Sequence, residues 1–127
     1  MKISSLQPHV LSLLRIVSAL LFAFHGAQKL LAWPGGNRVA LGSIMGVAGV
    51  LELVGGLLLM VGLWSRPIAF LLSGQMAVAY FWRHAPGGLW PILNRGELAA
   101  LYAFVFLYLW VAGPGPFSLD KMLRRKS

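Results

Sequence analysis

The chain contains no cysteine. This absence excludes disulfide bonds, a thiol nucleophile and thiolate metal sites within the chain. The sequence also lacks the G-x-S-x-G motif of serine hydrolases and the glycine-rich loops that hold phosphate groups. Any thiol chemistry therefore has to come from a substrate or from a partner protein.

Charged residues are scarce as well. Only 11% of the 127 residues are charged and 58% are hydrophobic, whereas an ordinary soluble domain has about 25% charged residues. So little polar surface cannot coat a water-soluble globule. We therefore expect one integral membrane domain over residues 1–127, which no linker or low-complexity tract divides.

Acidic residues are the scarcest charged type, with 3 Asp and Glu against 11 Lys and Arg. The net charge of +8 is compatible with binding to nucleic acid, to an acidic partner or to a membrane surface. The basic residues stand singly between apolar runs, except in the tail DKMLRRKS, so no face can follow a phosphate backbone. We therefore expect a lipid bilayer and no nucleic acid as the partner, and we interpret the charge as a signal for membrane orientation.

Four apolar segments supply the helices of the predicted domain. A bilayer core about 30 Å thick requires about 20 apolar residues in a helix. The segments that approach or meet this length are residues 10–31, 43–63, 67–82 and 97–112. The last two are short, so each must stand nearly upright, thin the bilayer or continue into its flanks. The predicted fold class is all-α, an integral membrane four-helix bundle with a short basic tail at residues 113–127.

Lysine and arginine at the helix ends predict the orientation. With a cytoplasmic N-terminus, the cytoplasmic side carries six of these residues and the outer side carries four. The six are Lys2, Arg66, Lys121, Arg124, Arg125 and Lys126, and the four are Lys29, Arg38, Arg83 and Arg95. Both termini are then cytoplasmic, in a multi-pass protein of the inner (cytoplasmic) membrane. A cleaved signal peptide is the alternative for the first segment, but Arg15 interrupts its apolar run, and we expect the segment to be retained.

Several polar residues lie inside the apolar segments, where an ionisable group costs about 3 kcal/mol. They are Arg15, His25, Lys29, Glu52 and Glu97, with Gln28 and Gln75 as uncharged companions. On a helix, His25, Gln28 and Lys29 share one face, and Arg15 lies within about 40° of Lys29. This polar side of the first helix is predicted to face the bundle. We expect Glu52 to pair with His25 or Arg15, either for chemistry or as a clasp that fixes helix packing.

A second polar group is predicted at the outer helix ends. Its members are Lys29, Arg83, His84, Asn94, Arg95 and Glu97, beside Trp82 and Trp90. His25, His84, Glu52 and Glu97 have the chemistry of metal ligands, but they come from separate segments without a compact motif. No metal is therefore predicted.

The second segment is rich in glycine, with Gly42 and Gly46 at a four-residue spacing. Small residues let helix backbones approach each other closely in lipid. The pattern predicts that this helix is a packing centre, either within the bundle or as the seam of a homo-oligomer.

Three motifs occur in one order along the chain. They are LLRIVSALLFAFHGAQKLLAW with its His-Gly-x-x-Lys, GVLELVGGLLLMVGLWSRPIA, and LNRGELAALYAFVFLYLWVAGPGPFSLD. Together they resemble the DoxX-like family of small four-helix membrane proteins. The resemblance implies similarity to the membrane subunit of thiosulfate:quinone oxidoreductase, and it links some members to oxidative-stress or thiol-handling complexes. By motif position it carries over, without assigned roles, Arg15, His25, Gln28, Lys29, Glu52, Asn94, Glu97 and Asp120.

The preferred hypothesis is an oxidoreductase subunit that binds a quinone within the bundle, with a small sulfur-containing substrate and a soluble or membrane redox partner. The residues predicted to hydrogen-bond the quinone or exchange protons are His25, Lys29, Glu52 and Glu97. The predicted substrate-binding residues are Arg15, Gln28, Gln75, His84 and Asn94. The aromatic residues predicted to bind the quinone ring are Phe22 and Tyr80. The alternatives are a small-anion transport or binding module and a non-catalytic membrane assembly partner.

Overall fold

The chain is all-helical in the part that the computed structural model describes, residues 2–88, 90–91 and 96–124, with no strand there. Its α-helices are α1 (Gln7–Leu31), α2 (Ile44–Val61), α3 (Ser65–Ala79), α4 (Glu97–Ala112) and α5 (Leu119–Leu123). The predicted all-α class is confirmed. Asn94, Arg95, Arg125 and Lys126, which enter the predictions above, lie outside the described residues.

Local sequence explains where the first two long helices begin and end. Helix α1 starts at Gln7 with a proline in its first turn, where the missing N–H costs no helical hydrogen bond. Helix α2 is capped by Ser43, whose hydroxyl accepts a hydrogen bond from the Gly46 N–H at 3.1 Å. It ends at Gly62, whose φ of 76° favours a residue without a side chain.

The third helix continues beyond its α-helical part. After the 15 residues of α3, the 5 residues Tyr80–His84 form a π-helical turn. The third helix thus continues to His84, two residues beyond the apolar segment 67–82. Such π-helical turns are rare, and they occur frequently at functional sites.

Two helical stretches among the described residues are long and apolar enough to cross a bilayer, Ile3–Leu31 and Ile44–Val61. Helix α4 is apolar but shorter. The outward surface carries large apolar side chains, such as Phe104, which is 70% exposed, and Val111, which is 66% exposed. Such a surface is unfavourable in water and compatible with lipid.

The long helices pack as two pairs, α1 against α2 and α3 against α4, and α2 also contacts α3. Glycine allows close approach at the α1–α2 crossing. A Cβ added to Gly56 would lie 2.9 Å from the Ala23 Cβ. A Cβ added to Gly26 would lie 2.6 Å from the Gly49 carbonyl oxygen, and both distances are shorter than a Cβ atom can tolerate. These glycines are used for packing within the chain, and a homo-oligomer through α2 stays a prediction.

An aromatic cluster joins the two helix pairs at the centre of the molecule. The Phe22 ring of α1 lies edge-on to the rings of Tyr102 and Phe106 of α4, with centroids 5.1 Å and 4.9 Å away. The Tyr102 and Phe106 rings stack on each other at 5.4 Å. All three side chains are buried, so this cluster fixes α1 relative to α4.

Candidate ligand-binding site

An ion pair between α1 and α2 forms the centre of the candidate site. The Lys29 Nζ lies 2.6 Å from the Glu52 Oε1, and Glu52 is only 3% exposed. The sequence predicts His25 or Arg15 as the partner of Glu52, and this prediction is wrong. Lys29 reaches the carboxylate because α1 approaches α2 closely at the turn that precedes the lysine.

The His-Gly-x-x-Lys motif explains this approach. Gly26 packs against the backbone of α2, where an added Cβ would collide with Gly49 and Leu53. A Cβ on Gly49 would lie 2.9 Å from the Lys29 Cβ. Because neither glycine has a side chain, the lysine side chain lies against α2 and its ammonium group reaches Glu52.

Helix α3 supplies a third polar group. The Gln75 Nε2 donates a hydrogen bond to the Glu52 Oε2 at 3.0 Å and contacts the Ala48 carbonyl oxygen at 3.5 Å. Both oxygens of the Glu52 carboxylate therefore accept hydrogen bonds, one from Lys29 and one from Gln75. A buried carboxylate requires such partners, since a charge removed from water without them is very unfavourable.

These three polar side chains line a cavity of about 630 Å³. Its walls are otherwise mainly apolar, with Phe22, Met76, Trp82 and Tyr102 among them. Small-molecule sites commonly have volumes of about 300–1,000 Å³, apolar walls and a few polar groups. The cavity therefore has the size and the composition of a small-molecule site.

Two histidines approach this cavity from different helices. His25 comes from α1 and His84 comes from the π-helical turn. The His25 ring lies edge-on to the Tyr102 ring, with centroids 6.1 Å apart. Because histidine can exchange protons near neutral pH, the cavity contains groups suited to proton transfer.

Some of the predicted site residues meet at this cavity and others do not. The structure brings together Phe22, His25, Lys29, Glu52, Gln75 and His84. Gln28 is exposed on α1. Tyr80 packs against the rings of Phe81 and His84 and is not among the residues that line the cavity. Asn94 lies outside the described residues.

Glu97 lies apart from the other predicted residues. It is the exposed first residue of α4 and lines a separate groove with Leu101 and Phe104. In the described part of the chain, no three His, Asp or Glu side chains are placed to hold a metal ion. The four-residue ligand set considered from the sequence is therefore not assembled, because Glu97 is separated from the cavity.

Arg15 has its partners near the other ends of the helices. It is fully buried, and its guanidinium donates hydrogen bonds to the carbonyl oxygens of Phe117 at 2.6 Å, Met60 at 3.3 Å and Pro114. Two of these acceptors belong to residues 113–120, which follow α4 and which we call the C-terminal strap. Arg15 therefore fastens the C-terminal strap to α1 and α2, and it does not line the cavity.

The C-terminal strap also reaches α3. The Asp120 carboxylate accepts hydrogen bonds from the backbone N–H groups of Trp64 and Ser65, both at 2.8 Å, and so caps the start of α3. Burial by itself raises the pKa of Asp120. The two backbone hydrogen bonds and the nearby Arg124 outweigh burial, and the pKa of Asp120 is lower than usual.

Sequence reasoning missed several residues of the cavity. Tyr102 had a usable signal, because it shares a helix face with Phe106 one turn later. Met45 at the rim had none. The Arg83 Nη1 lies 3.1 Å from the Met45 Sδ there, and Trp82 also lines the cavity. Arg83 and Trp82 belong to the group predicted at the outer helix ends, so the sequence had already named these two.

Fold and site together define a class of protein, a helical membrane protein with a polar site between its helices. The model of the DoxX family matches residues 10–85, more than half of the chain. The chain therefore belongs to the DoxX family, and the resemblance found in the sequence motifs is confirmed.

Two relatives resemble the chain over nearly its full length. An uncharacterized protein of Haemophilus influenzae is 44% identical in an alignment that covers 94% of this chain and 95% of that protein. The inner membrane protein YphA of Escherichia coli K12 is 27% identical in an alignment that covers 91% of each chain. No solved structure matches the chain. The family, the inner membrane relative and the two apolar helices agree that this is an inner membrane protein.

Proposed function

We propose that the chain binds a quinone in its cavity and acts as the membrane subunit of a redox system. The observation that carries the proposal is the group formed by Lys29, Glu52 and Gln75 in a cavity with mainly apolar walls. A quinone has matching chemistry, because its ring and tail are apolar and its carbonyl oxygens accept hydrogen bonds. When bound, it supplies an acceptor for two electrons and two protons.

The residues present fit a quinone head group. The rings of Phe22, Trp82 and Tyr102 supply flat apolar walls, and the volume of about 630 Å³ lies within the usual range for small-molecule sites. The Lys29 side chain lines the cavity, and its ammonium has three N–H donors, of which one is used by Glu52. The Gln75 Oε1 is buried without a hydrogen-bond partner among the described residues. The site therefore retains polar capacity for a ligand.

Lys29, Glu52 and His25 support proton exchange at this position. The Lys29 ammonium donates a hydrogen bond to Glu52 at 2.6 Å. In the proposed site, Lys29 also donates to a ligand carbonyl, and Glu52 or His25 holds the proton that the ligand takes up. Lys29 lies two residues from the end of α1, and we propose that protons reach the pair from that end of the helix.

Electrons are proposed to come from outside the chain. The sequence has no cysteine and therefore no dithiol to oxidise. A small sulfur-containing substrate or a soluble or membrane redox partner would supply the electrons, and the chain would contribute the quinone site. This division of tasks is the reason for proposing a subunit of an oxidoreductase.

The proposed setting is a four-helix bundle that crosses the inner membrane with both termini cytoplasmic. The C-terminal strap supports it, because its contacts join the start of α1, the end of α2 and the start of α3 at one end of the bundle. Lys2, Arg66 and Lys121 belong to the segments that meet there, as expected for a cytoplasmic face. The cavity then opens toward the outer leaflet.

A small-anion module has less support. It requires cations that are available to an anion, but Lys29 is paired with Glu52 and the guanidinium of Arg15 is enclosed by carbonyl oxygens. A purely structural role requires that the cavity bind nothing. The experiment on ligand binding distinguishes these two alternatives from the proposed function.

Titration of the purified protein in mild detergent with decylubiquinone tests the proposal. Because Trp82 lines the cavity, we expect saturable quenching of tryptophan fluorescence that Trp82→Phe reduces. Lys29→Met removes the proposed donor and should weaken binding about tenfold or more. Lys121→Met, an exposed lysine on α5, is the matched control and should bind normally. If the wild type shows no saturable binding but proteoliposomes take up thiosulfate, the anion module is correct.

A further inference from the structure

The orientation of the Gln75 amide is determined by its neighbours. Its nitrogen contacts the Glu52 Oε2 at 3.0 Å and the Ala48 carbonyl oxygen at 3.5 Å. The carbonyl is an acceptor only, and so is a carboxylate that is paired with the Lys29 ammonium. If the amide were flipped, so that its oxygen and nitrogen changed places, the oxygen would face these two acceptors. The amide nitrogen therefore faces Glu52 and Ala48, and the amide oxygen is turned away from them.

That amide oxygen lacks a donor. The Gln75 Oε1 is buried, and no group in the described part of the chain donates a hydrogen bond to it. A buried acceptor without a donor is unfavourable, and buried polar groups in proteins are almost always paired. The Gln75 side chain lines the cavity, so a ligand there that reaches the amide oxygen can supply the missing donor.

The neighbouring groups define what such a ligand needs. Lys29 is a donor with three N–H bonds, one of which is directed at Glu52. Both oxygens of Glu52 already accept hydrogen bonds. Among these three side chains, a ligand therefore meets the Lys29 ammonium as a donor and the Gln75 Oε1 as the acceptor that has no donor yet. A hydroxyl group satisfies both, whereas a carbonyl oxygen satisfies only the lysine.

We propose that the cavity binds the reduced form of a quinone, a hydroquinone, more tightly than the quinone, and that Gln75 selects its hydroxyl group. This inference rests on the proposed function, because it concerns the ligand of the same cavity. Reduction adds two electrons and two protons to the quinone and converts its two carbonyls to hydroxyls, with the electrons supplied by the sulfur-containing substrate or the redox partner. Tighter binding of the reduced form raises the reduction potential of the bound couple, by about 30 mV for a tenfold preference.

A comparison of four ligands on the wild-type protein tests this proposal. The ligands are decylubiquinone, decylubiquinol and the monomethyl and dimethyl ethers of the quinol, titrated without oxygen in mild detergent. We expect the quinol to bind about tenfold more tightly than the quinone, because it supplies the missing donor. The dimethyl ether, which has no hydroxyl, should lose this advantage, and the monomethyl ether should keep part of it.

The outcomes separate this inference from the proposed function. If the quinone binds as tightly as the quinol, the preference proposed for Gln75 is overturned and the quinone site stands. If none of the four ligands binds saturably, the proposed function itself fails. If the dimethyl ether binds as tightly as the quinol, the preference has another origin than a donated hydrogen bond, and the role of Gln75 is overturned.

A substitution tests whether Gln75 causes the preference for the quinol. Gln75→Met keeps the length of the side chain and removes the acceptor together with the donor to Glu52, so the quinol should bind no more tightly than the quinone. Gln7→Met, at the exposed start of α1, is the matched control and should keep the tenfold preference. Thermal unfolding shows whether each variant is folded. A folded Gln75→Met protein that keeps the preference contradicts the proposal, and the four-ligand comparison decides without this variant if it fails to fold.

Discussion

The two ends of the helices use buried polar residues in different ways. At one end, Arg15 donates to backbone carbonyls and Asp120 caps α3, away from the cavity, although the Arg15 Nε has no partner among the described residues. At the other end, Lys29 and Glu52 pair beside a cavity, and the Gln75 amide oxygen has no partner among the described residues. In this chain, what distinguishes the buried charges at Lys29 and Glu52 from Arg15 is the cavity beside them, and we therefore look for function at that end.

Arg15→Met should give the largest effect and should affect stability alone. It leaves the carbonyl oxygens of Met60, Pro114 and Phe117 without their donor, which should lower the free energy of unfolding by about 3–5 kcal/mol. Thermal unfolding in detergent measures this loss, with Arg38→Met on the exposed loop as the control. Quinone affinity of the folded fraction should not change. If the Arg15→Met variant loses quinone binding but unfolds like the wild type, Arg15 belongs to the ligand site and the contrast between the two ends is wrong.

Gly26→Ala should disturb the cavity end through the backbone. The new Cβ would collide with the backbone of Gly49 and Leu53, so α1 must move away from α2, at a cost of about 2–3 kcal/mol. Lys29 then loses its reach to Glu52, and quinone binding should weaken together with stability. Gly74→Ala is the matched control, because nothing lies within 4 Å of its Cβ, and it should be neutral or slightly stabilising. Equal effects of the two substitutions would contradict the role of Gly26.

Lys29→Met and Glu52→Gln together separate binding from stability. Lys29→Met leaves a carboxylate that is 3% exposed without its cation, so Glu52 takes up a proton, and we expect a loss of about 1–2 kcal/mol. Adding Glu52→Gln should recover most of this stability, since no charge then remains buried. Quinone binding, measured by fluorescence quenching, should stay weak in the double variant. If the double variant binds as the wild type does, the pair is only a packing clasp.

Asp120→Asn should have the smallest effect, and its effect should depend on pH. The pKa of Asp120 is lower in the folded protein than in the unfolded chain, so the carboxylate stabilises the fold above about pH 4. This stabilisation is lost as the pH falls through the lowered pKa. At neutral pH the variant should lose about 1 kcal/mol through the weaker cap. Unfolding measured from pH 7 to acid should therefore show a smaller difference between the two proteins at low pH, and a constant difference would contradict the assignment.

The sequence predicted which polar residues of the first helix face inward, but it did not predict which of them pairs with Glu52. Helical phase correctly placed His25 and Lys29 together on an inward face, and both line the cavity. Arg15 shares that stripe, but it lies 14 residues earlier, about 21 Å along the axis, and therefore belongs to the other end. His25 and Lys29 differ by one turn, and phase alone does not decide which turn meets Glu52.

The sequence by itself determined that the chain is an all-helical membrane protein with a polar stripe on its first helix, because hydropathy and helical period are local properties. Only the tertiary structure decided that Lys29 meets Glu52, that Gln75 joins them and that the C-terminal strap encloses Arg15. These contacts depend on how deeply and at what rotation separate helices pack. That packing is decided by close approaches such as the one at Gly26, which no segment specifies alone.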